Sequence, residues 1–351
     1  MNLANKFVRE GHSVELFLKE KVIAYKLDER VNIYCPIHND GHRPSKLKSA
    51  MNYIRRLKAT KDIIESLHPD VIVASWGCNL FQILLTHGQV PIVASEHNTF
   101  ARHHSLHEKF NRFFLNKFVS KVVVLSRYDK AYAARQLKNT VVIPNPLTYT
   151  PMSETEYENT FSSRNHILAC GRLNAWHVKG FDLLIRSFAL IAGRFKDWNL
   201  DIAGTGDDKS LAYIRQLIEA NGLQDRVNLL GFCDDMAELM KQHAIFVLSS
   251  RSEGFGMVIT EAMANGCPCV SFDLSGPSEI IVDTIDGLLV DAQNTDALSE
   301  SVSRMIKDVE LRREFGKRAI HNVYRFNEDT IAEKWISLFN SLQSALSLAK
   351  C

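Results

Sequence analysis

Short apolar runs rich in valine and isoleucine alternate with longer stretches in which apolar residues recur every three or four positions. Runs of the first kind read as buried strands of a parallel sheet, and the periodic stretches between them as the helices that cover it. In the first part of the chain the pattern predicts a helix over Met1–Glu10, strands over Ser13–Leu18 and Val31–Tyr34, and a helix over Ser45–His68. Strands at Val71–Ala74, Pro91–Ser95, Lys121–Leu125 and Val141–Ile143 follow. Pro144-Asn145-Pro146 punctuates the end of this unit, and Thr148 to Ser163 is polar and reads as a linker. A second alternation places strands at Ile167–Cys170, Asn199–Ala203, Val227–Leu230, Ala244–Leu248, Cys269–Phe272 and Gly287–Val290. Helices fall at Phe181–Arg194, Lys209–Asn221, Met236–Gln242, Gly256–Asn265, Thr295–Ile306 and Leu311–Val323. Arg325-Phe326-Asn327 interrupts the helical run, and Asp329–Leu348 forms a last amphipathic helix.

This is the signature of two α/β units, each a doubly wound, Rossmann-like parallel sheet. The expected boundaries are an N-terminal unit at 1–148, a C-terminal unit at 149–324, and a terminal helical segment at 325–351 that returns to the first unit. The length of 351 residues exceeds a usual single core and agrees with two domains. Two such units facing each other leave a cleft lined by the C-terminal ends of both sets of strands, so site residues should follow strands.

Composition narrows the class. At 46% hydrophobic and 23% charged the chain is ordinary for a globular protein. No apolar run approaches the roughly 20 residues that span a bilayer, and Met1 to Arg9 lacks the apolar segment of a secretory signal. The seven cysteines are odd in number and lack C-x-x-C spacing, which supports neither a zinc ribbon nor a disulfide framework and fits a reducing cytoplasm. Charge is uneven: residues 1–148 hold 22 Lys/Arg and 12 Asp/Glu, a net of +10, and the remainder holds 20 and 28, a net of −8. Part of the basic excess is Lys46, Lys48, Arg55, Arg56, Lys58 and Lys61, interleaved with Leu47, Met51, Ile54, Leu57 and Ile63. Two readings stand: a solvated helix face, or peripheral contact with an anionic membrane or a lipid-linked acceptor. Nothing points to nucleic acid.

Candidate chemistry clusters where strands end. Ser252-Glu253-Gly254-Phe255-Gly256-Met257 follows the strand Ala244–Leu248, and Glu261 lies in the first turns of the next helix. Glycines there let backbone approach a ligand, and a helix N-terminus suits a phosphate. Gly171-Arg172-Leu173 and then Lys179-Gly180 follow the first strand of the second unit, so an arginine and a lysine can converge on one diphosphate. Gly204-Thr205-Gly206 and Gly231-Phe232 follow the next two strands. In the first unit, Glu96-His97-Asn98 follows Pro91–Ser95, and His97 is open to structural, metal-binding or catalytic-site readings. Ser126-Arg127-Tyr128 reads as the start of a helix capped by Ser126. His103, His104 and His107 lack a paired carboxylate, so no metal is expected there.

The order Glu96-His97-Asn98, Pro144-Asn145, Gly171-Arg172-Leu173 with Lys179-Gly180, Gly204-Thr205-Gly206, Gly231-Phe232 and Glu253-x7-Glu261 resembles glycosyltransferase family 4, retaining nucleotide-sugar enzymes of the GT-B fold. The resemblance covers nearly the whole chain, and the glutamate pair is its most specific part. Gly276-Pro277-Ser278-Glu279-Ile280-Ile281 and Asp286-Gly287 resemble members that build bacterial surface polysaccharides. By position, the resemblance implies that Arg172 and Lys179 meet the donor diphosphate and Glu261 the ribose hydroxyls. Glu253, with the backbone of Gly254, Phe255, Gly256 and Met257, would hold the donor sugar, and His97 would lie beside its reacting face. Gly171, Gly204, Gly231 and Phe232 complete the implied donor site. The implied donor is a UDP-sugar, the acceptor a saccharide or lipid-linked saccharide, with no cofactor and no metal, since no Asp-x-Asp stands in a metal-binding context.

Family members begin with a strand and glycine-rich loop before the helix that Asn2-Leu3-Ala4-Asn5 resembles, so roughly 10 to 20 residues are expected to be missing at the start. A late-placed start codon and a damaged, nucleotide-sugar-binding remnant are the two accounts of that. A sugar-nucleotide epimerase of the same fold is a further alternative, and it needs an acid/base constellation that the sequence does not display.

Overall fold

The computed structural model describes residues 2–18, 26–35, 46–75, 80–100, 106–162 and 164–350. The chain divides into two compact units, Met1–Pro146 with Glu328–Cys351, and Leu147–Asn327.

In the first unit, β1 (Glu15–Phe17) and β2 (Asn32–Tyr34) pair in parallel as a two-stranded sheet. β3 (Ile72–Ser75), β4 (Ile92–Ser95), β5 (Lys121–Val124) and β6 (Thr140–Val142) form a second, wholly parallel sheet in sequence order. Side chains alternate across that sheet. Val93 and Val123 pack on Ile331, Trp335, Leu338 and Leu342 of the C-terminal helix Glu328–Lys350. Ile92, Ala94, Val122 and Val124 pack on the other face against Leu80, Phe100, Leu115 and Leu137. Because both faces of the inner strands β4 and β5 are covered, Ile92–Ala94 and Val122–Val124 are apolar without a break and read as continuous runs. The C-terminal helix is also tied to the first helix, Asn2–Arg9, through Lys6–Asp329 at 2.5 Å and Arg9–Glu328 at 2.7 Å.

The second unit is one six-stranded parallel sheet built from β7 (His166–Cys170), β8 (Asn199–Ala203), β9 (Val227–Gly231), β10 (Ile245–Leu248), β11 (Cys269–Phe272) and β12 (Gly287–Val290). Its order is β12-β11-β10-β7-β8-β9. The helices Phe181–Ala192 and Thr295–Lys307 bury Leu184, Ile185, Phe188, Leu298, Val302 and Met305 in the core that also takes Ile167, Leu200 and Val247.

The supposed linker is a correction. Residues 154–161 are a helix, Glu154–Phe161, capped by Ser153, whose hydroxyl accepts from the Glu156 amide at 3.1 Å. Tyr157 and Phe161 are buried. The stretch belongs to the second unit because the Met152 amide donates to Ala264 at 2.8 Å and the Leu147 amide to Phe326 at 2.7 Å. Its polar composition misled because only one side of a short helix is buried. The capping-box spacing Ser153-x-x-Glu156 was the available signal.

Candidate active site

The strand order of the second unit reverses at β7: β8 and β9 lie to one side, β10 to β12 to the other. Where order reverses, the chain leaving adjacent strands turns opposite ways and opens a crevice at their C-terminal ends. Gly171 and Arg172 leave β7 there, and Ser249 to Gly256 leave β10. The two segments are bound to each other. The Arg251 amide donates to Val178 at 2.8 Å, and the Ser249 hydroxyl donates to the Lys179 carbonyl at 3.2 Å. The Arg251 guanidinium donates to the His177 carbonyl at 2.6 Å and to both oxygens of Asp182 at 2.7 Å each. Asp182 opens the Phe181–Ala192 helix, so this planar pair fixes the turn that carries Lys179.

Lys179 and Glu253, 74 residues apart, meet at 2.9 Å, and Ser250 donates to the same Glu253 oxygen at 3.3 Å. The pair is partly exposed, 23% for the lysine and 16% for the glutamate, so each group can exchange its partner for a ligand. Arg172 is exposed, and among the described residues no carboxylate pairs with it. The helix Met257–Ala264 starts one residue beyond Gly256, whose φ of 96° is a left-handed conformation that favours glycine. Glu261 accepts from Thr148 at 2.8 Å. Burial raises its carboxyl above the usual range, and the Thr148 hydrogen bond pulls partly back. The same recess burdens its neighbours. Burial, reinforced by the charge of Glu261, pushes the Tyr149 phenol up to about 12. Burial and Glu261 push the Cys170 thiol to about 12, with Lys179 opposing. Both are therefore neutral walls at pH 7 rather than nucleophiles.

The rim glycines are stitched together: Gly171 donates to Ala203 at 3.0 Å, Gly204 to Gly231 at 2.7 Å, and Leu173 to Thr205 at 2.7 Å. A Cβ on Gly204 would lie 1.9 Å from the Gly171 carbonyl, so only glycine permits this approach. Phe232 is 74% exposed beside this rim. Phe255 is instead buried, edge-on to Phe326 at 5.5 Å, so only its backbone is available to a ligand.

His97 stands in the first unit, after β4. Its Nε2 lies 3.3 Å from the Ser95 hydroxyl. Surrounding protein lowers its pKa against the opposing charge of Glu96, although the residue still presents surface to solvent. Glu96 itself is buried, paired with Arg112 at 3.2 Å and accepting from Asn116 at 3.1 Å. Ser126 caps the Arg127–Ala133 helix. His103, His104 and Cys78 lie outside the described residues, as does the side chain of His107. The five described cysteines, Cys35, Cys170, Cys233, Cys267 and Cys269, are free.

Sequence reasoning brought Arg172, Lys179, Glu253 and Glu261 to one unit. It missed Thr148 and Tyr149, hidden in the supposed linker, and the Asp182–Arg251 pair, which no motif spacing announces.

The fold is that of the GT-B class, and the two halves of the chain together place it among the family 4-like glycosyltransferases. Residues 154–322 match the model "Glycosyl transferases group 1", and residues 1–148 match "Glycosyltransferase Family 4". Among curated relatives, the amylovoran biosynthesis glycosyltransferase AmsD of Erwinia amylovora is 26% identical over 90% of this chain and 87% of its own length. Sucrose-phosphate synthase from Thermosynechococcus elongatus superimposes with a TM-score of 0.82 at 20% identity, over 98% of this chain and 92% of that one. Anabaena HepE in complex with UDP and glucose gives a TM-score of 0.73 at 21% identity, over 89% and 86%. At these identities the solved structures speak for the fold. No helix among the described residues is long and apolar enough to cross a membrane.

Proposed function

We propose that the chain transfers a hexose or N-acetylhexosamine from a UDP-sugar, with retention and without a metal, to a lipid-linked or oligosaccharide acceptor in surface-polysaccharide synthesis. The observation that carries this reading is the gathering of Lys179, Glu253 and Glu261 about Cys170 at the β7/β10 crevice, where Arg172 follows β7. Glu261 takes the ribose hydroxyls, replacing Thr148 or adding to it. Lys179 turns from Glu253 to the diphosphate, where Arg172 joins it, and Phe232 offers a face for the base. Glu253, freed, accepts from the sugar hydroxyls. In the reaction the anomeric C–O bond breaks, its electrons go to the departing diphosphate, and the acceptor oxygen bonds to the anomeric carbon. The acceptor proton passes to the leaving phosphate oxygen. In this reading the two cations and the terminus of the Met257–Ala264 helix stabilise the charge that develops, the role a metal takes elsewhere. His97 is proposed to stand beside the sugar's reacting face.

AmsD supports the polysaccharide assignment by its name, and HepE supports UDP by what it was solved with. Membrane contact is proposed for the Lys46–Leu67 helix, which exposes Met51 (48%) and Ile54 (65%) beside exposed Arg55, Lys58 and Lys61. The test is UDP release from a panel of UDP-sugars with lipid-linked acceptors. Turnover that Glu253→Ala abolishes supports the reading. No release from any donor, with Glu253→Ala indistinguishable from wild type, sinks it.

A further inference from the structure

At the N-terminal ends of the strands of the second unit, opposite the crevice, three side chains far apart in sequence converge. His166 opens β7, Asp201 lies within β8, and His243 stands two residues before β10. Asp201 Oδ2 is 2.8 Å from His166 Nδ1 and 2.9 Å from His243 Nε2. The three atoms all lie within 4.8 Å of one another.

Hydrogen-bond chemistry constrains what fills this contact. His243 Nδ1 lies 2.6 Å from the Leu239 carbonyl, which only accepts, so Nδ1 carries a proton. In a neutral ring Nε2 then holds a lone pair, and that lone pair faces a carboxylate oxygen. A positive centre must stand between them, either a second proton or a metal ion. His166 aims a second ring nitrogen at the same oxygen. The outer contacts favour the metal. A metal-ligating histidine gives its other N–H to a carbonyl or carboxylate, as His243 does to Leu239, and ligating carboxylates are themselves hydrogen-bonded. Asp201 meets that condition, because its Oδ1 accepts from Asn228 at 2.7 Å.

We propose that His166 Nδ1, Asp201 Oδ2 and His243 Nε2 bind one divalent transition-metal ion, with zinc the best match to two imidazoles and a carboxylate. Asp201 and His243 are buried, whereas His166 is 32% exposed in its side chain, giving an ion a way in and a fourth position for water. Ligand atoms at about 2.1 Å from a tetrahedral ion stand about 3.4 Å apart. Binding therefore opens the two short contacts by about half an ångström, a rotation the half-exposed His166 ring can make. The ion would fasten β7, β8 and the start of β10, whose other ends carry the donor site. It is a structural site, independent of the transfer chemistry.

The test uses the full-length protein stripped with EDTA and dialysed against Zn²⁺. Elemental analysis should find about one zinc per chain in wild type and in His321→Ala, an exposed histidine outside the cluster, and close to none in His166→Ala. At a hundredfold excess over Kd, Zn²⁺ should raise the wild-type Tm by about 5–10 °C and leave His166→Ala unmoved. Co²⁺ added to wild type, which needs no variant to fold, should give the visible bands of a low-symmetry N/O site. Equal zinc in wild type and His166→Ala, no Zn²⁺-dependent rise in Tm, or a Co²⁺ spectrum matching the hydrated ion would overturn the site and leave a proton in the contact.

Discussion

Arg251→Leu should loosen the turn that carries Lys179. Arg251 and Asp182 make two charge-assisted bonds at 2.7 Å with side chains 18% and 7% exposed. Stranding one partner of a buried pair costs about 3–5 kcal/mol. The exposed edge of Arg251, and the helix N-terminus that still supports Asp182, place the loss near the lower end, about 3 kcal/mol. For a domain of this size that is a Tm drop of about 6–12 °C. Asp182→Ala removes the same bonds, so the double variant should cost far less than the sum of the singles, with a coupling of about 2 kcal/mol. The pair also fixes the pH response. Burial would raise the Asp182 carboxyl, but the hydrogen bond and charge of Arg251, with two helix amides, bring it below its usual value. A depressed folded pKa gives stability that is complete above the unfolded value near 3.9 and is lost as pH falls through the folded one. Urea unfolding of wild type, both singles and the double should therefore show a constant difference at pH 5 to 7 that shrinks below about pH 4. A coupling under about 0.5 kcal/mol, or a difference that does not move with acid, refutes the strap.

Glu253→Gln should separate two roles: it frees Lys179 for phosphate, so UDP alone binds several-fold tighter, about 1 kcal/mol for a partly exposed pair, while sugar transfer collapses; calorimetry beside a turnover assay reads both. Glu261 has a raised carboxyl and accepts from two ribose hydroxyls best when ionised, so UDP affinity should fall as pH drops through a midpoint above the ordinary 4.5. Glu261→Gln should lack that step, leaving only the titration of UDP itself. The cost of holding the Glu261 charge in the unliganded protein is relieved by the same acidification, so its stability relative to Glu261→Gln should rise over that interval. Ile54→Asp with Lys58→Glu should reduce sedimentation with anionic vesicles about tenfold while leaving UDP affinity unchanged; equal sedimentation removes the membrane reading of that helix.

The inner strands of the second unit were legible because they are buried on both faces and carry little besides apolar residues; Ile245–Leu248 and Cys269–Phe272 are buried throughout. The helix after Gly256 was legible from its apolar spacing. What periodicity conceals is convergence. Asp182 and Arg251 are 69 residues apart, His166 and Asp201 35, and Asp201 and His243 42. Parallel crossovers bring such pairs together, and each residue alone is an unremarkable polar side chain at a strand or helix end. Thr148 was lost for a different reason: its stretch is short and polar, and its place beside Glu261 comes from backbone bonds at Leu147 and Met152. Phe255 shows the converse, a residue placed at the site by position whose side chain belongs to the core.

Calorimetric titration of UDP into wild type and the Arg172→Ala, Lys179→Ala double variant tests most directly whether Arg172 and Lys179 hold a nucleoside diphosphate at the β7/β10 crevice. Two charge-assisted contacts worth about 1.5–3 kcal/mol each predict at least a hundredfold loss of affinity, approximately, with the fold intact by circular dichroism. An affinity unchanged to within about threefold would contradict it.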